Sequence, residues 1–396
     1  MNIKASGCKL SRFIGTSFFL LPIIYCLLVL SCVSSQVEVE EEIETEKPQV
    51  SDAKKYYSFG REYLKNEMYD EAIKNFEHAI EESVSCVDAY VNLGLAYRAK
   101  RDYVEMERVY KELIEVAPAK GHYALGGVYT NEKKYEKALS EYKEALKTDS
   151  SYVDALYGLG YIYEKIGDSE SAINEYLHAL TLDPKNEGIR YSLGKAYISN
   201  EQYEKGIKEL KILKESHPED LDVRRALGSA LNTIEDYKFA KEEFEYITTY
   251  APSDIISRVN LGKAFQGLKE YDNAVQSYKE AISIDTTNIS LYCHLIGLHI
   301  ELKNLNKADQ LLKTALEINP DDQLLHYLSG TVLVNKGDEL FNRKEYSASI
   351  SNYNKAIVEY KLVIKGDDLS LADNAKKAIK SVESKLKRAK EEKWWH

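Results

Sequence analysis

The chain has 396 residues, of which 44% are hydrophobic and 30% charged, and its formal net charge is −11. This apolar content is too high for a disordered protein. The acidic balance disfavours nucleic acid and anionic lipid surfaces as partners, because both repel negative charge. The 31 tyrosines, against nine phenylalanines and two tryptophans, indicate an architecture that repeatedly uses a large ring with a polar edge.

The N-terminal 36 residues are typical of an export signal. Three basic residues precede an uncharged apolar run over residues 13–30, and Ser31-Cys32 follows. A basic start, an apolar stretch and a small residue before a cleavage site characterise secretory signals. The junction resembles the lipobox of bacterial lipoproteins, whose cysteine is lipidated and becomes the new N-terminus. The resemblance implies that residues 1–31 are removed, that Cys32 carries lipid, and that the protein is anchored to a bacterial membrane in the cell envelope, facing the periplasm or the cell surface.

The alternative is a signal-anchored, single-pass membrane protein in which the apolar run is not cleaved. About 18 to 20 apolar residues can just span a bilayer. The proline at position 22 and the short length of the run favour cleavage. Loss of residues 1–31 would remove three basic residues and no acidic ones, which moves the formal net charge from −11 to −14.

Residues 32–52 are predicted to form a lipid-anchored acidic tether. Residues 37–46 read VEVEEEIETE, and such dense like charge repels itself and cannot form a core. The 20 residues that follow the cysteine reach roughly 25 Å as a coil. The tether would therefore keep the folded part close to the membrane surface.

From Tyr56 onward the sequence repeats, mostly with a period of 34 residues. A column of glycines comprises Gly60, Gly94, Gly126, Gly160, Gly194, Gly228, Gly262 and Gly330, with Ile296 in the eighth place. A tyrosine column follows nine residues later at Tyr69, Tyr103, Tyr135, Tyr203, Tyr237 and Tyr271, and an alanine column three residues after that at Ala72, Ala138, Ala172, Ala240, Ala274 and Ala308. Agreement among so many columns indicates one structural unit used many times.

The fourth unit shows what each repeat encodes. Large residues recur at helical spacing over residues 154–163, Gly167-Asp168 interrupts the helix, and a second amphipathic stretch covers residues 172–180. Pro184 stops the second helix. The small Gly160 lies where the two helices must approach closely. Each unit is thus a helical hairpin whose outer face stays apolar until the next hairpin covers it.

This pattern is similar to the tetratricopeptide repeat family over residues 53–365. The resemblance implies an all-α fold, a right-handed α-solenoid of about nine tetratricopeptide-type helix pairs plus a C-terminal capping helix. The predicted units lie near residues 53–86, 87–118, 119–152, 153–186, 187–220, 221–254, 255–288, 289–322 and 323–365, and the predicted cap covers 369–393.

Two units depart from the common length. The second is two residues short, which predicts a tighter junction with the third. In the ninth, Tyr346 lies 16 residues after Gly330 instead of nine. Seven extra residues are about two helical turns, so the helix lengthens while the same face points inward.

The sequence contains no recognisable catalytic, cofactor or metal motif. The eight histidines are scattered, Cys86 and Cys293 form no close pair, and no phosphate loop or nucleophile motif is present. His78 and His178 are predicted to be surface residues, and Cys293 to be a small packed hydrophobe. We therefore predict that the chain is not an enzyme and uses no cofactor, metal or evident small-molecule substrate.

In the tetratricopeptide family the first helix of each unit lines a concave groove that binds proteins. One groove column here comprises Tyr57, Val91, Tyr123, Tyr157, Tyr191, Arg225, Val259 and Cys293, and its neighbour comprises Arg61, Leu95, Gly127, Tyr161, Lys195, Ser229, Lys263 and Gly297. We predict that Tyr57, Tyr123, Tyr157, Tyr161 and Tyr191 supply aromatic contact area, and that Lys195, Arg225 and Lys263 pair with acidic groups of a ligand. The alternative is that these rings only fill space within the repeats.

The resemblance does not extend to the family's clamp for the C-terminal carboxylate of chaperones. Asn92 and Asn260 stand in suitable columns, but the matching lysine and asparagine partners are missing. The leading hypothesis is a membrane-anchored scaffold or adaptor that binds partner proteins in its groove. The alternatives are a structural component of a cell-envelope assembly, or an accessory subunit of an envelope enzyme or export system.

Overall fold

The computed structural model of the protein describes residues 52–395. The predicted signal peptide, the predicted lipidation site Cys32 and nearly all of the predicted tether lie outside the described residues. Within the described range the chain forms nineteen α-helices and no strand. The helices are α1 (Asp52–Lys65), α2 (Tyr69–Glu82), α3 (Val87–Ala99), α4 (Tyr103–Val116), α5 (Pro118–Asn131), α6 (Tyr135–Thr148), α7 (Val153–Ile166), α8 (Ser169–Leu182), α9 (Glu187–Ser199), α10 (Tyr203–Ser216), α11 (Leu221–Thr233), α12 (Tyr237–Tyr250), α13 (Ile255–Gly267), α14 (Tyr271–Ile284), α15 (Ile289–Glu301), α16 (Leu305–Ile318), α17 (Gln323–Asn342), α18 (Tyr346–Ile364) and α19 (Leu369–Trp395).

The helices associate as nine successive pairs, α1 with α2 through α17 with α18, followed by the single helix α19. Substantial contacts join only helices that are adjacent or next but one along the chain. This arrangement is an α-solenoid and confirms the predicted fold class. None of the helices in residues 52–395 is long and apolar enough to cross a membrane.

The turn inside each pair has one conformation throughout the solenoid. In the first unit, Glu67 N–H donates to the carbonyl of Leu64 at 3.2 Å, and Met68 N–H donates to that of Tyr63 at 2.9 Å. This is the Schellman motif, in which the residue after the C-cap adopts a left-handed conformation. The left-handed residue is Gly167 only in the fourth unit. In the other eight it is charged, with φ between 57° and 63°, at Glu67, Arg101, Lys133, Glu201, Glu235, Lys269, Lys303 and Lys344.

The glycine column lets the two helices of a pair approach closely. A Cβ built on Gly60 would lie 2.6 Å from the ring of Phe76, and one on Gly262 would lie 2.6 Å from the ring of Tyr278. In the first seven units the facing residue lies 16 positions later, and it is an aromatic ring in all of them except the fifth, where Gly194 faces Leu210. In the eighth unit Ile296 fills the glycine position, and the residue 16 positions later is Leu312 instead of an aromatic; both are buried.

The junction between the second and third units has no separate linker. Ala117 is the C-cap of α4 and also the N-cap of α5, and Pro118 occupies the first turn of α5. Gly121 lies so close to α4 that a Cβ there would be 2.5 Å from the backbone nitrogen of Ile114. The two missing residues thus shorten the connection between these units.

The ninth pair is longer than the others, because α17 has 20 residues and α18 has 19. Two glycines of α17 now contact rings of α18, Gly330 against Tyr360 and Gly337 against Tyr353. Helix α19 covers this pair through its apolar stripe, in which Ala375 and Val382 are buried. The structure therefore confirms a C-terminal capping helix. Its last two rings, Trp394 and Trp395, are largely exposed.

Candidate functional site

The predicted groove residues lie on the first helices of consecutive units. Tyr157 is 38% exposed, and Tyr57, Tyr123, Tyr161 and Tyr191 are half-buried. None of these five rings belongs to the fully buried core. The first helices therefore present a row of partly exposed rings, which we call the tyrosine row.

Three of the four rings of one groove column, those of Tyr57, Tyr123 and Tyr157, pack on a ring of the second helix of the same unit. The ring centroids are 6.0 Å apart for Tyr57 and Phe76 and 5.7 Å apart for Tyr157 and Tyr176. Tyr123 packs in the same way on Tyr142, with centroids 5.9 Å apart. Tilted contacts at this spacing are favourable for aromatic pairs. One side of each of these three rings is thus fixed by intra-repeat packing, while another side remains accessible.

Hydrogen bonds connect the tyrosine row between neighbouring units. Asn92 Nδ2 donates to the Tyr57 hydroxyl at 3.4 Å, and Ser192 Oγ donates to the Tyr157 hydroxyl at 3.5 Å. In each pair the two residues lie 35 positions apart in the sequence, which is one repeat plus one residue. These contacts orient the rings in the free protein, which reduces the entropy lost when a ligand binds.

The three predicted basic residues differ in their surroundings. Lys195 and Lys263 are exposed, and within residues 52–395 neither forms an ion pair with a carboxylate. Lys195 Nζ lies 5.4 Å from the ring centroid of Tyr191, within the range of a cation–π contact. The ammonium groups of both lysines remain available to an acidic ligand.

Arg225 instead links the sixth and seventh units. Its Nη2 and Nε donate to Asp254 Oδ2 at 2.7 and 3.1 Å, and Nη1 donates to Asp222. Asp254 also caps α13 by accepting from the backbone of Ser257. Burial alone would raise the pKa of Asp254, but the hydrogen bonds from Arg225 and Ser257 outweigh it and lower the pKa below the ordinary value. The guanidinium is therefore already occupied within the protein.

A pocket of about 510 Å³ opens on the groove face between the second and third units. Four groove-column residues line it: Val91 and Leu95 from α3, and Tyr123 and Gly127 from α5. A Cβ on Gly127 would meet only the Tyr142 hydroxyl, at 4.0 Å, so this glycine leaves open space. The remaining lining residues are Asp88, Arg98, Met106, Tyr110, Lys120, Ala124, Val128, Asn131, Tyr152 and Asp154. We call this cavity the groove pocket.

The phenols of the groove pocket are hydrogen-bond donors at neutral pH. Burial raises the pKa of Tyr110 to about 12, and burial followed by the charge of Asp154 raises the pKa of Tyr123 to about 12. The pocket combines an apolar floor with phenol donors and both signs of charge at its rim. Such a mixture suits the side chain of a bound peptide.

The sequence analysis placed Val91, Leu95 and Gly127 in the groove columns but did not identify the pocket. The sequence features that indicate the pocket are the short second unit and Gly127, in a groove column that has only one other glycine, Gly297. Among the remaining sequence predictions, His78 and His178 are exposed. Cys293 is half-buried, and burial raises the pKa of its thiol to about 11. No group of three or more potential metal ligands occurs among the residues that the structure describes.

Family comparisons agree with this architecture. Models described as tetratricopeptide repeats match residues 57–121, 126–167, 165–201 and 266–330, which together make up just over half of the chain. The chain therefore belongs to the tetratricopeptide repeat proteins. Members of this family are generally non-catalytic modules for protein–protein interaction.

The chain is 32% identical over 99 residues to Hsp70-Hsp90 organizing protein 1 of Glycine max, a match that covers 24% of the chain and 17% of that protein. It is also 32% identical over 92 residues to Hsp70-Hsp90 organizing protein 3 of Arabidopsis thaliana, covering 23% and 16%. The chain thus spans about a sixth of the length of these relatives.

Among solved structures, the C-terminal part of a repeat protein from Cytophaga hutchinsonii has a TM-score of 0.49 and 19% identity, covering 60% of this chain and 99% of that one. YrrB, described as having an unusual peptide-binding site, has a TM-score of 0.42 and 23% identity, covering 45% and 92%.

Proposed function

We propose that the protein is a membrane-anchored scaffold or adaptor that binds an extended or helical segment of a partner protein along its groove, between the second and seventh units. The observation that carries this proposal is the position of Tyr123, which belongs both to the tyrosine row and to the lining of the groove pocket. A single bound segment can therefore contact the row and place one side chain in the pocket. Membership of an interaction-module family supports the same proposal.

The tyrosine row provides the aromatic part of the binding surface. Tyrosine offers a large contact area with few rotatable bonds, and it is enriched at the residues that dominate binding energy in protein interfaces. Because the rings of Tyr57, Tyr123 and Tyr157 already rest on second-helix rings, their orientation does not have to be fixed on binding.

The basic part of the surface is proposed to consist of Lys195 and Lys263. Both ammonium groups lack a carboxylate partner in the described structure although the chain has a formal net charge of −11. They favour acidic groups on the partner, and because such exposed pairs are screened, added salt weakens this component. Arg225 contributes less, since its guanidinium is held by Asp254 and Asp222.

A partner captured from detergent-solubilised membranes would be titrated against variants of the full chain. We expect Tyr157→Ala combined with Tyr191→Ala to weaken binding at least tenfold while helicity stays unchanged, since truncated interface tyrosines typically cost about 2 kcal/mol or more. The matched control is Tyr103→Ala combined with Tyr250→Ala, on two second helices, where the rings are 44% and 68% exposed. Equal affinity for the groove variant and the wild type would favour a structural component of an envelope assembly instead.

Lipid anchoring at Cys32 is part of the proposal and has its own test. Several acyl chains would hold the protein firmly, because each buried methylene contributes about 0.8 kcal/mol. We expect the mature protein to lack residues 1–31, and Cys32→Ala to block processing. An intact mass that retains residues 1–31 in the wild type would favour the signal-anchor alternative.

The proposal does not include the chaperone-clamp function that the names of the organizing proteins suggest. The Asn92 amide donates to the Tyr57 hydroxyl and to the carbonyl of Asp88, and the Asn260 amide donates to the carbonyl of Ile256. Both side chains are thus engaged within the groove. We also propose that the chain is not an enzyme, because anchor, tether, repeats and cap account for its sequence.

A further inference from the structure

A second site, independent of the proposed groove function, emerges when the units are compared at one position. The residue three places after the glycine column is buried in six of the nine units and half-buried in the other three. In the second and third units it is a tyrosine whose hydroxyl donates to a glutamate of the preceding second helix. These pairs are Tyr97 with Glu77 at 3.1 Å and Tyr129 with Glu107 at 3.0 Å. We call this position the inter-unit slot.

A lysine covers the slot ring in several units. Lys137 Nζ lies 5.2 Å from the ring centroid of Tyr129, and Lys205 Nζ lies 5.4 Å from that of Tyr197. Each lysine follows its ring by eight residues. In several units, therefore, the slot holds a large ring covered by an ammonium group. In two units a carboxylate accepts a hydrogen bond from the hydroxyl of the ring.

The eighth unit differs from the others in its slot residue. Its slot residue is His299, and the residue 20 positions before it, where Glu77 stands relative to Tyr97, is Lys279. The covering lysine is retained as Lys307, eight positions later. Relative to the second unit, an imidazole thus replaces the phenol and an ammonium group replaces the carboxylate; lysine also stands at the Glu77 place in other units, as Lys143 and Lys211.

The smaller imidazole is accompanied by a cavity of about 300 Å³ between α14, α15 and α16. His299, Lys279 and Lys307 line it together with Leu295, Gln310, Leu311 and Thr314. No carboxylate is among the lining residues, in a chain whose formal net charge is −11. Within residues 52–395 neither of the two lysines forms an ion pair with an acidic residue.

His299 shows that this polar cavity is not internally satisfied. The residue is 3% exposed, and its Nδ1 is buried without a hydrogen-bond partner in the described structure. A buried polar atom without a partner is costly, and native proteins retain few of them. The cavity therefore has two unpaired ammonium groups, an imidazole, a hydroxyl and an amide, but no anion of its own.

We propose that this cavity is a binding site for a phosphate group, held by Lys279, Lys307 and His299, with the side-chain amide of Gln310 as a further hydrogen-bond donor. A doubly charged oxyanion balances the charges of both lysines. Lysine ammonium groups serve widely as point-charge ligands of phosphate. The group can belong to inorganic phosphate or to a small phosphomonoester, since 300 Å³ accommodates either.

The electrostatics of His299 agree with this assignment. Burial lowers the pKa of His299 below its ordinary value, and the charges of Lys307 and Lys279 lower it further. The two lysines are thus close enough to affect the imidazole. A bound phosphate would oppose their effect and favour the imidazolium, so binding is expected to take up protons.

The test uses the full chain in detergent and titrates inorganic phosphate, phenyl phosphate and acetate by calorimetry, with ³¹P NMR as a second readout. We expect saturable binding of one phosphate or phenyl phosphate per chain with a Kd below about 1 mM, and a raised Tm in its presence. Binding of phenyl phosphate alone would identify a phosphomonoester as the ligand. Acetate bound as tightly as both phosphates, or no saturable binding of either phosphate, would overturn the proposal.

The decisive variant is His299→Tyr combined with Lys279→Glu, which restores the pair found at Tyr97 and Glu77. We expect it to fold as the wild type does, by circular dichroism, and to bind phosphate at least tenfold more weakly.

The matched control is Lys211→Glu, because Lys211 occupies the place of Lys279 two units earlier and is exposed. It should bind phosphate as the wild type does. A folded double variant that retains wild-type affinity would also overturn the proposal. Since the site is separate from the groove, partner binding should be unaffected in either variant.

Discussion

Gly160 lies directly beneath the ring of Tyr176: a Cβ built on the glycine would be 2.6 Å from Cε1 of that ring. Tyr176 is fully buried and its hydroxyl donates to Glu164 at 3.0 Å, so the ring has no free space into which it can move. We expect Gly160→Ala to destabilise the protein by about 1–3 kcal/mol through overpacking, despite the better helix propensity of alanine. Denaturant unfolding followed by circular dichroism measures this change.

The control for this prediction is Gly297→Ala, in α15. A Cβ there would meet nothing within 4 Å. This substitution therefore changes only the helix propensity, and we expect it to stabilise the protein by about 0.5–1 kcal/mol. Destabilisation by both substitutions, or by neither, would show that close approach of the helices does not explain the glycine column.

The turns within the helix pairs supply a second prediction. Lys133 has φ of 59°, and a non-glycine residue in the left-handed region costs roughly 1–2 kcal/mol. We expect Lys133→Gly to stabilise the protein by up to about 1 kcal/mol, and Gly167→Ala, at φ of 85°, to destabilise it. Thermal unfolding of both variants checks the prediction, which fails if the two substitutions shift the Tm in the same direction.

The ion pair between Arg225 and Asp254 yields a prediction about the junction of the sixth and seventh units. Both side chains are partly buried and share two hydrogen bonds, so we expect Arg225→Ala to cost about 1–3 kcal/mol of stability. Because the folded-state pKa of Asp254 is lowered, its contribution is present above the unfolded pKa and is lost as the pH falls through the folded value. Wild type should therefore lose more stability than Arg225→Ala on acidification below about pH 4.

Partner binding separates this structural role from a ligand contact. Lys263→Ala should weaken binding of the captured partner and reduce its salt dependence. Arg225→Ala should lower the stability more than the affinity. A large loss of affinity with unchanged stability in Arg225→Ala would show that the guanidinium leaves Asp254 to contact the ligand.

His299 gives a prediction for neutral and mildly acidic pH. Its folded-state pKa lies below the unfolded value of 6.5, so the unfolded chain binds more protons as the pH falls. Wild-type stability should decrease from about pH 6.5 downward until the folded-state pKa is passed. The variant His299→Phe has a phenylalanine in the inter-unit slot, as the seventh unit does, where the equivalent residue is Phe265. We expect this variant to be more stable at pH 7 by about 1 kcal/mol and to show a smaller decrease. A pH profile identical to that of the wild type would contradict this prediction. A smaller decrease should remain in the variant because of His294, whose pKa is also lowered, by burial and by the charge of Lys263.

The sequence predicted the solenoid because its repeating columns correspond to contacts within single helices and hairpins. Gly160 and Tyr176, for example, are 16 residues apart, and the same spacing of glycine and aromatic ring recurs in six of the first seven units. The pairing of Arg225 with Asp254 could not be predicted, because it joins different units and has no counterpart in the other repeats. The groove pocket depends on a shortened junction and on one glycine that faces open space. The cavity at His299 could have been found from the sequence by aligning the units at the slot position.

The restriction of contacts to neighbouring helices has a consequence for how the chain folds while it is being made. Every substantial contact of a unit is complete once the next unit has followed it, so no segment must wait for a distant part of the polypeptide. Local contacts of this kind favour rapid folding. The solenoid can therefore assemble in the order in which it emerges from a ribosome or a translocation channel, with α19 closing the last exposed apolar face when it arrives.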